Sequence, residues 1–482
     1  MTTTTQFWLN DRLITTSASA GMLVLDYLRK QERLVGTKEG CKEGDCGACA
    51  ILIGELVDGR MHYQPVTSCL VPLGEMHGKH VVSIEGLNSR ELSPVQDAMV
   101  NRCGSQCGFC TPGFVVSMSW YVMCAKGEPS RDGMKRAISG NLCRCTGYAS
   151  IVRAGDDLVE GFGPGGNWES IWQADDRIKA MAEANMVPAY FNEMPKRLAA
   201  IAPHVVEPAH EGAPVDFHVA GGTDLYVQKG EHIPDGQVKI LNRHPEMKGI
   251  RLEGDTFHVG ALTTFEEFGA NADIAKMIPR IQDYLFLIAS LHLRNRATLS
   301  GNIINASPIG DMTILLLALD SELVFFEDDG QRTVAMKDFF KSYKVYDKRP
   351  REIMTEIIFP KVDANTRIHF EKVSKRKCLD IATVNSAIKI RTSDEGVIEA
   401  VNLTLGGVAA VPLWLPETAK YLVGKSIEPA TLHAALDIAQ GEISPISDVR
   451  GSADYKRLLA RQFIIAHFVE LFPDRMRFEQ VV

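Results

Sequence analysis

Eight of the eleven cysteines in this chain fall into two spaced sets, and thiols at such spacing bind metal. Cys41, Cys46, Cys49 and Cys69 read C-x4-C-x2-C…C, the spacing that wraps a [2Fe–2S] cluster. Cys107, Cys110, Cys143 and Cys145 form a C-x2-C followed well downstream by C-x-C. Gly40, Gly44 and Gly47 punctuate the first loop, so backbone N–H groups can turn inward toward sulfur. Such donors favour the reduced, more negative state of a cluster. A structural zinc ion also takes four cysteines, but it normally pairs two C-x2-4-C knuckles. The first set fits that pattern poorly, whereas the second admits either metal by spacing alone. Two iron–sulfur sites in series would pass single electrons.

Short strands and one helix must hold the first set. Phe7–Leu9, Ala50–Ile53 and Val81–Ile84 are strand-like, and Leu23–Gln31 is an amphipathic helix ahead of the cysteine loop. Residues 1–88 therefore form a small α+β unit. Residues 89–162 are helical. Ser93-Pro94-Val95-Gln96 is a capping box with proline at the first helical position. Thr111-Pro112 opens a second helix whose Phe114, Val115, Met118, Tyr121 and Val122 share a face. Ser130 caps a third helix, ended by Gly140, and a fourth runs from about Ala149 to Glu160. This order places Cys107 and Cys110 in one interhelical link and Cys143 and Cys145 in another. Two antiparallel helix pairs would bring both links to one end of a bundle, which favours a second cluster there.

Gly161–Gly166 satisfies G-x-G-x-x-G, but a helix precedes it and Pro164 interrupts it. The dinucleotide fingerprint needs a preceding strand and a following helix, so 163–189 is expected to be a linker. Beyond it, 190–362 mixes short strands and loops, and 363–482 reads as a further α+β domain. Within the former, Phe217–Ala220 runs into Gly221-Gly222-Thr223-Asp224-Leu225, and Ala297–Pro308 is a second segment rich in small residues. Glycine-rich turns of this kind can cradle a diphosphate, although a lone Gly-Gly-Thr-Asp is more often an ordinary turn.

The 482 residues suffice for about three or four domains. The chain is 45% hydrophobic and 23% charged, ordinary for a globular protein. A net charge of −8 without a basic stripe argues against nucleic acid as a partner. The polar start shows no leader pattern, and no apolar run is long enough to span a bilayer. Thiols at ligand spacing suit a reducing compartment, so a cytoplasmic location is expected.

The segments GSQCGFCTPG (104–113) and GNLCRCTGY (140–148) closely resemble the molybdenum hydroxylase family. The domain order resembles its xanthine dehydrogenase branch, in which iron–sulfur and flavin modules are fused. The resemblance covers nearly the whole chain. It implies a multidomain α+β fold: a β-grasp ferredoxin-like domain, a four-helix [2Fe–2S] bundle, an α+β FAD-binding domain that is not a Rossmann fold, and a C-terminal α+β flavoprotein domain. It implies FAD held by Val219, Ala220, Gly221, Gly222, Thr223, Asp224 and Leu225, and by Thr298, Leu299, Ser300, Gly301 and Asn302, with Asp311 nearby. Tyr343 matches a family tyrosine beside the flavin where NAD approaches, although Lys344 stands where arginine is usual. Lys372 or Asp380 would also lie near the flavin, and Gln106 would contact the pterin cofactor of a partner.

No molybdenum-binding segment is present. The resemblance therefore implies a large molybdenum-bearing subunit, a heterotetramer of two small and two large subunits, and xanthine or hypoxanthine hydroxylation with NAD as acceptor. Two rivals remain: a hydroxylase for aldehydes or other N-heterocycles, and a standalone iron–sulfur flavoprotein reductase. A structural zinc scaffold is a third. Cys124 reads as core packing and Cys103 as a spare thiol. Cys378 lies among Lys375, Arg376 and Lys377, whose charges favour its thiolate. None of the 13 histidines shows ligand spacing.

Overall fold

A computed structural model describes residues 4–203, 215–327 and 330–481. These fall into two compact units. The first comprises 4–203, 215–243 and the heptapeptide Ser290–Arg296; the second comprises 244–289 and the described residues from Ala297 onward. The division falls inside the span 190–362, at Arg243 and around Ser290–Arg296.

In the first unit, Thr5–Leu9, Arg12–Thr16, Ala50–Val57, Arg60–Thr67 and His80–Val82 form a five-stranded sheet. Thr5–Leu9 pairs in parallel with His80–Val82, and the other pairs are antiparallel. Phe7, Leu9, Ile51, Ile53, Val66 and Val81 close one core of this sheet. Two local departures from expectation occur. Ile84 begins a 3-10 turn rather than ending a strand. The segment expected as one regular helix is a short α-turn, Val24–Asp26, that widens into a π-turn over Tyr27–Gln31.

Four helices follow, Pro94–Asn101, Thr111–Cys124, Arg131–Ile138 and Ala149–Phe162. Ser93 and Gln96 make the reciprocal capping box, and the Ser130 hydroxyl accepts from the Gly133 amide. The helix Thr111–Cys124 is buried on almost every side rather than along one face. It lies between the sheet, where the Trp120 indole donates to the Tyr63 carbonyl at 2.9 Å, and its sister helices. An all-round apolar sequence is what such a sandwiched helix requires.

The stretch 163–189 is not a free tether. It folds into the short helices Glu169–Trp172 and Arg177–Glu183. Its Trp168 and Trp172 rings sit 5.0 and 6.1 Å from Phe162. Burying the Trp172 indole and half-burying that of Trp168 outweighs the polar character of the surrounding residues. The Gly161–Gly166 segment begins in the last turn of the helix Ala149–Phe162, not after a strand.

The second unit holds two antiparallel sheets. Ile250–Glu253, Thr256–Gly260, Glu322–Glu327, Gly330–Ala335 and Ile353–Pro360 form the first. Thr366–Val373, Val384–Thr392, Ile398–Gly406 and Leu413–Trp414 form the second. The helices Pro429–Glu442 and Ala453–Leu471 cover the latter, and Leu432, Leu436, Ile464 and Phe468 interlock with Ile388 and Leu403 in its core. Among the described residues no helix is long and apolar enough to cross a membrane.

Candidate functional site

The two cysteine sets lie in irregular loops tied to regular elements. Cys41 and Cys46 occupy the bends before Ala50–Val57, with Gly44 and Gly47 at φ +80° and +66°. Cys49 and Cys69 are buried beside that strand and the turn Ser68–Leu70. Cys110 caps Thr111–Cys124, while Cys143 and Cys145 lie between Arg131–Ile138 and Ala149–Phe162.

The sulfurs are grouped two by two. Cys41 lies within hydrogen-bonding reach of Cys46, and Cys49 of Cys69. In the second set the pairs are Cys107 with Cys145 and Cys110 with Cys143. A binuclear cluster asks for this grouping, because each of its two irons takes two of the four thiolates. One zinc ion would need all four sulfurs on one centre. The donor set fits two [2Fe–2S] clusters.

The loop amides point at sulfur as their glycine content requires. The neighbouring Cys46 thiol, with the amides of Glu43, Cys46 and Asp45, holds the Cys41 thiol down at about 5. Burial pushes the Cys143 thiol up, but the Thr146 hydroxyl at 3.1 Å and its amide at 3.5 Å bring it below its ordinary value. Burial drives Cys110 up to about 12. Tyr148, at φ +67°, receives the Cys143 amide on its hydroxyl at 3.1 Å and so folds the C-x-C link back on itself.

The segments expected to hold FAD lie in different units. In the first, the strand Phe217–Val219 ends in the Gly221–Asp224 turn, and Leu225–Lys229 follows as a helix. Val219 and Tyr226 share a core with Cys49, Cys69 and Leu70. Gly222 has φ +76°, and a Cβ there would meet the Tyr226 ring at 2.9 Å and the Leu70 carbonyl oxygen at 3.2 Å. The Gly221 carbonyl accepts from Arg296, whose guanidinium forms a buried two-point pair with Glu75.

In the second unit, Thr298 caps the helix Leu299–Ile304 through the Gly301 amide, and the Asn302 side-chain oxygen accepts from the Thr313 amide at 2.9 Å and hydroxyl at 2.8 Å. Asp311 and Lys372 meet in an ion pair of 2.7 Å, with Asn385 on the other carboxylate oxygen at 2.6 Å and the Asp380 carbonyl on the ammonium at 2.8 Å. Tyr343 is 63% exposed in a small hairpin. The adjacent Lys344 reaches the Asn305 side chain at 2.7 Å. Gln106 and Cys103 are exposed, while Cys124 and Cys378 are half-buried.

Sequence reasoning missed Glu75, Arg296, Ser117, Asn141 and His292, all buried in the first unit. Only Asn141 carried a local signal, as the residue two before Cys143.

Four family models match the chain. They are a 2Fe-2S iron–sulfur cluster binding domain (residues 8–73), a [2Fe-2S] binding domain (83–156), an FAD binding domain in molybdopterin dehydrogenase (199–362) and a CO dehydrogenase flavoprotein C-terminal domain (369–471). Xanthine dehydrogenase of Drosophila pseudoobscura pseudoobscura is 29% identical over 96% of this chain and 39% of its own length. Aldehyde oxidase 1 of Oryctolagus cuniculus is 26% identical over 96% and 39%. The chain therefore spans about two fifths of the length of these curated relatives. The solved carbon monoxide dehydrogenase from Hydrogenophaga pseudoflava is 30% identical, with 52% of this chain and 86% of that chain covered at a TM-score of 0.48. Two [2Fe–2S] clusters and FAD are the cofactors these domains bind.

Proposed function

We propose that this chain, which belongs to the molybdenum hydroxylase family through its iron–sulfur and flavin domains, is the electron-transfer component of an enzyme of the xanthine dehydrogenase type. Its substrates are xanthine and hypoxanthine, hydroxylated at a molybdenum–pterin centre outside these residues, on a partner subunit, and its acceptor is NAD. When bound, the clusters carry single electrons and FAD links one-electron to two-electron chemistry.

The chain's own residues have defined tasks in this reading. Cys41, Cys46, Cys49 and Cys69 hold one cluster; Cys107, Cys110, Cys143 and Cys145 hold the other. The loop amides and Thr146 stabilise negative charge on the sulfurs. In the first unit residues 219–225, and in the second unit residues 298–302 with Asp311 and Lys372, are the flavin contacts of this reading. Exposed Tyr343 flanks the acceptor side. The observation that carries the reading is the two-by-two grouping of eight thiols, with Cys49 and Cys69 packed in one core with Val219.

A hydroxylase for aldehydes or other N-heterocycles is the second reading, favoured by the likeness to an aldehyde oxidase. Copurification from the native source followed by assay with xanthine and NAD tests both. The expected result is a complex with a larger molybdenum-bearing chain that reduces NAD with xanthine. Preferential turnover of aldehydes selects the second reading. Full activity of this chain without a molybdenum-bearing partner would overturn both.

A further inference from the structure

The two thiol-bearing loops touch each other, and a histidine from far along the chain is locked into the contact. The Leu142 amide donates to the Cys46 carbonyl at 2.9 Å. Beside this bond, the Asn141 amide nitrogen donates to the Gly47 carbonyl at 3.2 Å. Nothing larger than glycine fits at this seam. A Cβ on Gly47 would stand 2.4 Å from the Gly140 carbonyl oxygen, and one on Gly113 would stand 2.2 Å from that of Gly47.

Asn141 is held from behind. Its side-chain oxygen is 2.8 Å from the Ser117 hydroxyl, which is also 3.0 Å from the Gly113 carbonyl and 2.8 Å from His292 Nε2. Ser117 and His292 are fully buried, and Asn141 nearly so. The protons settle the directions. Asn141 spends its amide nitrogen on Gly47, so its oxygen must accept, and the Ser117 hydroxyl has one proton for it or for the Gly113 carbonyl. In either case His292 Nε2–H is the donor to Ser117 Oγ. His292 Nδ1 is then a bare lone pair, and it has no partner among the described residues. Burial holds the imidazole neutral by pushing it down to about 4. A Cβ on Gly140 would lie 2.7 Å from this Nδ1, so the ring also braces the loop by contact.

We propose that His292 is a positioning residue that fixes the spacing between the two thiol-bearing loops, acting through Ser117 and Asn141. The proposal rests on the iron–sulfur reading of those thiols. Without the Nε2 donor, Ser117 turns, Asn141 loses its orientation and the seam between Gly47 and Asn141 relaxes. The clusters stay ligated but their separation shifts.

The test is low-temperature electron paramagnetic resonance on the reduced, intact complex, reading the magnetic splitting between the two clusters, which depends steeply on their separation. His292→Leu should retain full iron content yet lose the wild-type splitting. His292→Gln can still donate to Ser117 and should restore it. Wild-type splitting in His292→Leu overturns the proposal. So does His292→Gln behaving like the leucine variant, since that makes ring volume the cause. Where the leucine variant does not fold, Ser117→Ala cuts the same chain of bonds and must shift the splitting, and an unchanged spectrum overturns the proposal. A wild-type protein without iron signals removes the iron–sulfur reading itself and the proposal with it, an outcome recognisable before any variant is made.

Discussion

Arg296 and Glu75 put the most at stake in a single pair of side chains. Both are buried, they bind each other at two points, and the guanidinium also holds the Gly221 carbonyl. Removing one member of a buried pair typically costs about 3–5 kcal/mol, because the other charge is left unpaired. Lys79, 3.1 Å from Glu75, remains in Arg296→Met, so the loss should fall near the lower end of that range. Chemical denaturation of the variant measures it, and an unchanged midpoint would mean that the pair is not closed in solution. The same variant frees the Gly221 carbonyl, so flavin content should drop while iron content holds. Nothing in the sequence announces this pair. Glu75 sits in a short turn with no periodicity, and its partner is 221 residues away.

Elements show the same division between what is local and what is not. The capping box at Ser93, the Thr111-Pro112 start and the strands around Ile388 and Leu403 were readable because caps, proline and alternation act over a few residues. The packed segment 163–189 was not, since its helices owe their place to Trp168 and Trp172 meeting Phe162. The widened turn at Tyr27–Gln31 likewise left no pattern of its own. In the proposed function the glycine turn after Phe217–Val219 is a flavin-binding element. Gly222→Ala places a Cβ in a left-handed backbone, 2.9 Å from Tyr226. That strain costs on the order of 1–2 kcal/mol. The expected outcome is weaker flavin retention on gel filtration with both cluster signals intact. Full flavin occupancy in this variant would remove the turn from the binding site.

Across the whole molecule, buried neutral histidines set the response to acid. Burial holds His80 down to about 3 and His292 and His369 to about 4, and His467 lies well below its ordinary value for the same reason. In the unfolded chain each protonates near 6.5. Between those values the unfolded state binds more protons, so this stability is full above about pH 6.5 and is lost as pH falls toward about 4. The slope is about 1.4 kcal/mol per pH unit for each such histidine. Urea midpoints should therefore fall from about pH 7.5 to about pH 5.5, and His467→Gln should flatten that fall. Equal midpoints at the two values would show that these rings are not held neutral. The eight thiols were legible because ligand spacing is written along the chain; the depressed histidines were not, because burial is a property of the finished fold.

The heptapeptide Ser290–Arg296 also dictates an order of events during biosynthesis. It closes a unit whose other parts emerge from the ribosome long before it, with His292 meeting Ser117 across 175 positions. Bringing such distant points together costs about 4.6 kcal/mol in chain entropy beyond a constant. Until that segment is translated, the nascent protein lacks the His292 bond that holds Ser117 and Asn141 behind the two cysteine loops. The proposed clasp is therefore the last part of its unit to leave the ribosome, and it is set behind loops that are already made.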